Sequence, residues 1–259
     1  MSAAGALALK LVLTPAVIGA ASLAGRRWGS AVSGWLIGIP FTSAPIALFL
    51  ALDPGPGFAA RASEAIMAGA ISQTVFCIAY AWSSRGAGLA GSLAAAVAGY
   101  GVSTVALTYF DVGVGGTFTV VIIVLVVALF VMPDAARTAS ERVDFPRWDL
   151  PARMVVATAF VVALTEAAPL LGPRLSGLLA PFPLYGAVLA SFARSVEGAD
   201  AAVRVVRGLV LGLFAFACFF AVLSVLLERD VALAFAAAVA VTLVVQGSAL
   251  LAGRRLGIA

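Results

Sequence analysis

Residues 112 to 133 carry no charged side chain, and neither do residues 86 to 110, 208 to 227 or 231 to 253. A helix rises 1.5 Å per residue, so an apolar run of about 20 residues matches the ~30 Å hydrocarbon core of a bilayer. Lipid offers the backbone no hydrogen-bond partner, and such runs must satisfy their own peptide groups as helices. Their recurrence confines the chain to an all-α integral membrane fold. Composition agrees: 63% of the 259 residues are hydrophobic, 11% are charged and mean hydropathy is +1.12, too little polar surface for a soluble domain of this length.

The apolar runs predict nine spans, at approximately 4 to 24, 30 to 52, 62 to 83, 87 to 109, 114 to 132, 152 to 172, 174 to 193, 204 to 227 and 231 to 251. The opening segment, MSAAGALALKLVLTPAVIGAASLAGRR, has its arginine pair after the apolar run. A cleavable signal carries its charge before it, so the segment reads as the first span. Placing the odd-to-even connections in the cytoplasm puts twelve of the sixteen basic residues there and leaves Lys10, Arg61, Arg174 and Arg229 on the other side. That asymmetry predicts an inner (cytoplasmic) membrane protein with its N-terminus outside and its C-terminus in the cytoplasm.

Sliding the sequence along itself by 143 residues gives thirteen identities over the 48 positions from Gly29 to Phe76, without a gap. They include Ser33 on Ser176, Gly34 on Gly177, Pro40 on Pro183, Gly55 on Gly198 and Gly69 on Gly212. Alanine and leucine matches carry little weight in such a chain; the glycine, serine and proline frame carries more. The same shift lays spans one to four on spans six to nine and leaves span five as connector. The expected organisation is a first four-span repeat in 1–110, the connector span and a cytoplasmic loop in 111–150, and a second four-span repeat in 151–259. An odd connector inverts the second unit, so the two would be inverted-topology repeats about an axis in the membrane plane, an arrangement many secondary transporters share.

GIPFTSAP in span two and APFPLYG in span seven fall at matching places in the two units. Proline lacks a backbone donor and collides with the preceding turn, so Pro40, Pro45, Pro181 and Pro183 are expected to kink or unwind their helices. Unwound backbone at membrane depth is tolerated where protein or a watery cavity satisfies it, and paired interruptions point to a transporter's central site. Thr42, Ser43 and Tyr185 would add hydroxyls there. Single prolines are also common in membrane helices as packing kinks.

Glu166 reads as the one carboxylate well inside an apolar span; such groups are costly and are functional candidates. Lys10 lies at a similar depth in the equivalent span, and the two are candidates for an ion pair or a proton-linked site. Separate snorkelling to the interface is the alternative. Gln73 and Gln246 are buried amides, for which helix-to-helix hydrogen bonding competes with lining a pathway. Gly208 and Gly212 have a close-packing spacing. The loop from Pro133 to Arg153, with Trp148, reads as an interfacial tether.

The chain has no histidine, and Cys77 and Cys218 lie apart in apolar runs, so neither a metal site nor a disulfide is expected. No cofactor motif, nucleotide motif or nucleic-acid partner is indicated, and no His-Asp, Ser-Lys or metal constellation suggests an intramembrane enzyme. The expected partners are the bilayer, a small solute and a coupling ion; a homo-oligomer is compatible with the sequence.

GWLIGIPFTSAPIALFLAL and GPRLSGLLAPFPLYGAVLASF look like segments of bacterial multi-pass membrane proteins. More distantly, the duplicated interrupted helices resemble the cation/proton-antiporter and anion-transporter superfamily, including AbrB-like and LrgB-like proteins. The resemblance covers mainly spans two and seven and implies crossed, broken helices around a central site. The paired intramembrane aspartates of that superfamily's sodium/proton antiporters are absent. The expected function is a secondary transporter or permease working by alternating access; the alternative is a non-transporting membrane scaffold or subunit.

Overall fold

The structure, a computed structural model, describes residues 3–28, 40–134 and 149–255. These residues form helices and no strands. In chain order the helices are α1 (Ala3–Trp28), α2 (Ser43–Leu52), α3 (Pro56–Ser83), α4 (Leu89–Leu107), α5 (Gly113–Val131), α6 (Asp149–Leu179), α7 (Leu184–Glu197), α8 (Ala199–Leu226) and α9 (Val231–Arg255). Among the described residues six stretches, against the nine spans expected, are long and apolar enough to cross a membrane, one of them the 48 residues Leu150–Glu197, which span α6 and α7. At 19 residues each, α4 and α5 are about 28 Å long, close to the thickness of the hydrocarbon core.

Boundaries differ from those expected at several places, and α8 begins at Ala199 rather than near residue 204. Helix α3 begins at Pro56 rather than near residue 62, because Gly55, at φ 131°, turns the chain and proline fits the first helical turn, where its missing N–H is not needed. Spans six and seven meet without a loop: α6 runs on through a kink at Gly172, at φ 74°, and Pro173 opens the arm beyond it. The first part of span two, and most of the loop carrying Trp148, lie outside the described residues.

Helices α3 and α8 are both 28 residues long, and residue 56 maps to 199 and 83 to 226, a shift of 143 at each end. Each follows a glycine of positive φ, Gly55 at 131° and Gly198 at 94°. Helix α5 shows how the two are directed. Thr117 Oγ1, near the start of α5, donates to Glu64 Oε1 near the start of α3 at 3.3 Å, and Trp82 Nε1, near the end of α3, donates to the carbonyl of Val131 at 3.2 Å. Arg207, near the start of α8, instead donates to the carbonyl of Leu129 at 3.2 Å and pairs with Asp134 at 3.7 Å, beyond the end of α5. So α3 runs with α5 and α8 runs against it.

The same contacts sort the charges. Arg61, Asp111, Arg174 and Glu228 gather at one end of the bundle, and Arg85, Asp134, Arg194 and Arg207 at the other. Exposed aromatics mark both ends, Tyr109 and Phe110 at the first and Trp82 at the second, as expected of residues at two membrane interfaces.

Helix α3 is the central pillar, touching α2, α4, α5, α6 and α8. Between helices in lipid the drive is close packing rather than the hydrophobic effect, and small residues permit it. A Cβ on Gly177 would lie 2.5 Å from Ala65 Cβ and 3.0 Å from the Ile66 nitrogen, and one on Gly69 would lie 3.1 Å from the Leu178 carbonyl and still nearer Pro181 Cγ. Gly99 meets Val75 in the same way. Gly208, by contrast, has nothing within 4 Å of where its Cβ would stand, so the spacing of Gly208 and Gly212 does not make a close contact at Gly208.

Because backbone blocks the space at Gly177, Gly177→Val should destabilise the fold by about 3 kcal/mol, the upper end for overpacking. Gly115→Val, at an exposed and open position, should leave it unchanged. Thermal unfolding in detergent, followed by fluorescence and size exclusion, measures both.

Candidate functional site

The arm of α6 beyond Gly172 ends at Leu179; Ala180 and Pro181 turn, Phe182 and Pro183 are non-helical, and α7 starts at Leu184. Proline at 181 and 183 accounts for the break, since neither can donate to the preceding turn. The last helical bond runs from the Ala180 N–H to the Ser176 carbonyl at 3.1 Å, and the next helix opens with the Ala187 N–H donating to the Pro183 carbonyl at 2.7 Å. On the other side, Pro40 precedes a turn at Phe41 and Thr42, and the Ala44 N–H donates to the Pro40 carbonyl at 2.8 Å. Residues 40 and 44 map to 183 and 187 under the shift of 143, so the same bond opens α2 and α7.

Carbonyls left over at a helix end need donors. Tyr100 Oη, from α4, donates to the Leu178 carbonyl at 2.7 Å, and Ser43 Oγ, from the first turn of α2, donates to the Ala180 carbonyl at 3.1 Å. The two interruptions therefore touch through Ser43. Phe182 stands edge-on to Tyr100 at 5.0 Å and to Phe76 at 6.4 Å between ring centroids. Gln73 is buried on α3 between Gly69, against Pro181, and Phe76, against Phe182, one turn from each, which sets it at the level of the break. Pro40, Ser43, Pro181 and Pro183 are buried and Thr42 is half-buried, so the crossing is closed.

Pro45 corrects an expectation: it neither kinks nor unwinds a helix. It is the third residue of α2, in the first turn, where no hydrogen bond from its nitrogen is called for. Tyr185 lies in the first turn of α7 with 38% of its surface exposed. Ser72 turns away from the break, accepting from Thr104 Oγ1 at 3.0 Å and donating to Ser103 Oγ at 3.3 Å, which ties α3 to α4.

Lys10 Nζ lies 2.8 Å from Glu166 Oε1 and 5.9 Å from the centroid of the Phe49 ring, so the pair joins α1 to α6 beside α2. The partners are unequal: the Lys10 side chain is 8% exposed and that of Glu166 63%. Glu64 was missed in the sequence because it sits at the edge of an apolar run; with α3 starting at Pro56 it lies two turns inside the helix, held by Thr117. Tyr100 was missed because one tyrosine in an apolar helix has no positional signature. Among the described residues no three His, Cys, Asp or Glu side chains gather where a metal ion could be held, and Cys77 and Cys218 are free thiols.

Comparison with protein-family models, with curated proteins and with solved structures gives no match.

The unequal burial of the ion pair sets the outcome of a double-mutant cycle. Glu166→Leu leaves a buried ammonium without its carboxylate and should destabilise by about 2 kcal/mol, between the values for exposed and buried pairs. Lys10→Leu leaves an exposed carboxylate and should cost less, and the double variant should recover most of the loss. Thermal unfolding of the four proteins in one detergent gives the coupling.

Proposed function

We propose that the chain is a secondary transporter or permease of the inner membrane, moving a small solute by alternating access between two inverted repeats. The observation that carries this reading is the Ser43 Oγ to Ala180 carbonyl bond, which brings the interruption of one half onto that of the other. Three further features support it. The two interruptions open their following helices with the same bond at positions 143 residues apart, α3 and α8 share length and a glycine entry, and they run oppositely along α5. In this reading residues 1–110 and 151–259 are the repeats, α5 is the strut between them, and the buried crossing is an occluded state. No ATP-binding motif is present in the sequence, so an ion gradient would drive transport, with Lys10 and Glu166 as the ionisable pair set among the helices. The arginine-rich end, which includes Arg85, Arg194 and Arg207, faces the cytoplasm.

A second reading, a non-transporting scaffold or subunit, is favoured by a different observation: the carbonyls of Leu178 and Ala180 are already capped by protein hydroxyls. Cysteine accessibility separates the two. With Cys77 and Cys218 replaced by alanine, Thr42→Cys and Leu184→Cys should each react with a membrane-impermeant thiol reagent, from a side that changes with the imposed ion gradient. Protection from both sides under every gradient would leave the scaffold reading.

A further inference from the structure

Helix α4 splints the broken element from one end of the bundle to the other. Before the break, Arg174 donates to the carbonyls of Leu107, at 2.8 Å, and Thr108, at 3.2 Å, where α4 ends, and pairs with Asp111 at 3.5 Å. After the break, Arg194 donates to the Ala87 carbonyl and, at 2.5 Å, to Ser92 Oγ, where α4 begins. Between them Tyr100 holds the Leu178 carbonyl. Glycines of positive φ bound the element, Gly172 at 74° and Gly198 at 94°, and neither has a neighbouring element within 4 Å of where a Cβ would stand. Each arm is thus joined to the other at the non-helical stretch, has a glycine at its far end, and carries the arginine that grips α4 toward that far end.

The two arms are not held alike. The arm before the break lies against α3, with Gly177 at Ala65 and Ile66, and the carbonyls of Leu178 and Ala180 are bonded by Tyr100 and Ser43. Its Arg174 sits at the C-terminal, negative end of α4, where a cation is favoured, with a carboxylate beside it. Helix α7 packs mainly on α8, with Gly186 against Leu209, and is fastened to α4 by Arg194. That guanidinium lies at the positive end of α4, which opposes it, and meets a carbonyl and a hydroxyl but no carboxylate among the described residues. The grip of α7 on α4 is the weaker of the two.

From this we infer that α7 is the moving gate of the crossing and Arg194 its latch. Release of Ala87 and Ser92 lets the Arg194 end of α7 part from the start of α4, with residues 180–183 and Gly198 absorbing the turn, and opens a way to the break from that end. Arg174 meanwhile keeps the opposite arm closed. The inference rests on the transporter reading and names the regulation of that same site; Arg194 is a positioning residue, acting through where α7 stands rather than by touching a solute.

Cysteine labelling in oriented vesicles tests it, in the background lacking Cys77 and Cys218. With the impermeant reagent on the Arg194 side, Leu184→Cys should react about tenfold faster once Arg194→Gln is added, the weight of one hydrogen bond to a charged group, and no faster from the other side. Arg194→Lys, which keeps a charged donor, and Ser92→Ala, which removes one acceptor and leaves α7 intact, should each give a smaller gain from the same side. Arg174→Gln should give none there. Labelling of the Arg194→Gln protein at the parent rate, or faster from both sides alike, would overturn the inference, as would an equal gain in Arg174→Gln; labelling of the parent whose side follows the ion gradient would leave the transporter reading standing. Should Arg194→Gln not give a folded protein by size exclusion, Ser92→Ala decides alone, a gain from the Arg194 side being expected and the parent rate overturning the inference. Leu184→Cys and Thr42→Cys protected from both sides in the parent and in every variant would remove the transporter reading, and this inference with it.

Discussion

The structure depends on how closely α3 approaches the broken α6–α7 element. Helices in lipid gain little from burying apolar surface against one another, so contact distance decides their attraction. Gly177 and Gly69 bring backbone against backbone, and the break at 180–183 falls where α3 can be reached by Pro181 and Phe182. Because the approach is so close, the carbonyls freed at Leu178 and Ala180 lie within reach of hydroxyls on α4 and α2. A looser contact would leave those carbonyls in a low-dielectric interior without donors, at a cost no membrane helix bears without compensation.

The second constraint is the segregation of charge. Arginines appear at the ends of the helices, where they hold carbonyls of neighbouring elements: Arg174 on Leu107 and Thr108, Arg194 on Ala87, Arg207 on Leu129. Each therefore fixes the lateral position of a helix as well as its depth. The middle layer is uncharged, built from alanine, glycine, aromatic rings and a few hydroxyls. Lys10 and Glu166 form the one ion pair set among the helices away from these ends among the described residues, and the Phe49 ring beside Lys10 supplies a second favourable contact for its ammonium.

Some of this was legible in the residues alone. Periodic charge-free runs give membrane helices because lipid leaves no other option, and the 143-residue shift located Pro40 and Pro183 at equivalent places, which the chain uses in the same way to open α2 and α7. Pro45 shows the limit of reading proline by type: its effect depends on its distance from the helix start, and that start was set by the turn at Phe41 and Thr42. Glu64 shows the limit of reading depth from hydropathy. A carboxylate near the start of an expected span reads as interfacial, but the helix begins two turns before it and Thr117 donates to the carboxylate.

What the sequence by itself determined is therefore the helical state, several apolar helices long enough to cross a membrane, the interruptions at Pro40 and at Pro181 and Pro183, and the absence of charge between them. These follow from local chemistry, the loss of a donor at proline and the cost of a charge in hydrocarbon, and need no knowledge of neighbours. Only the tertiary structure decided that the two breaks touch through Ser43 and that Tyr100 caps Leu178. Those outcomes depend on which helix faces are apposed and at what distance, and a hydroxyl's partner 137 residues away along the chain is settled by packing, to which no local pattern of residues gives access.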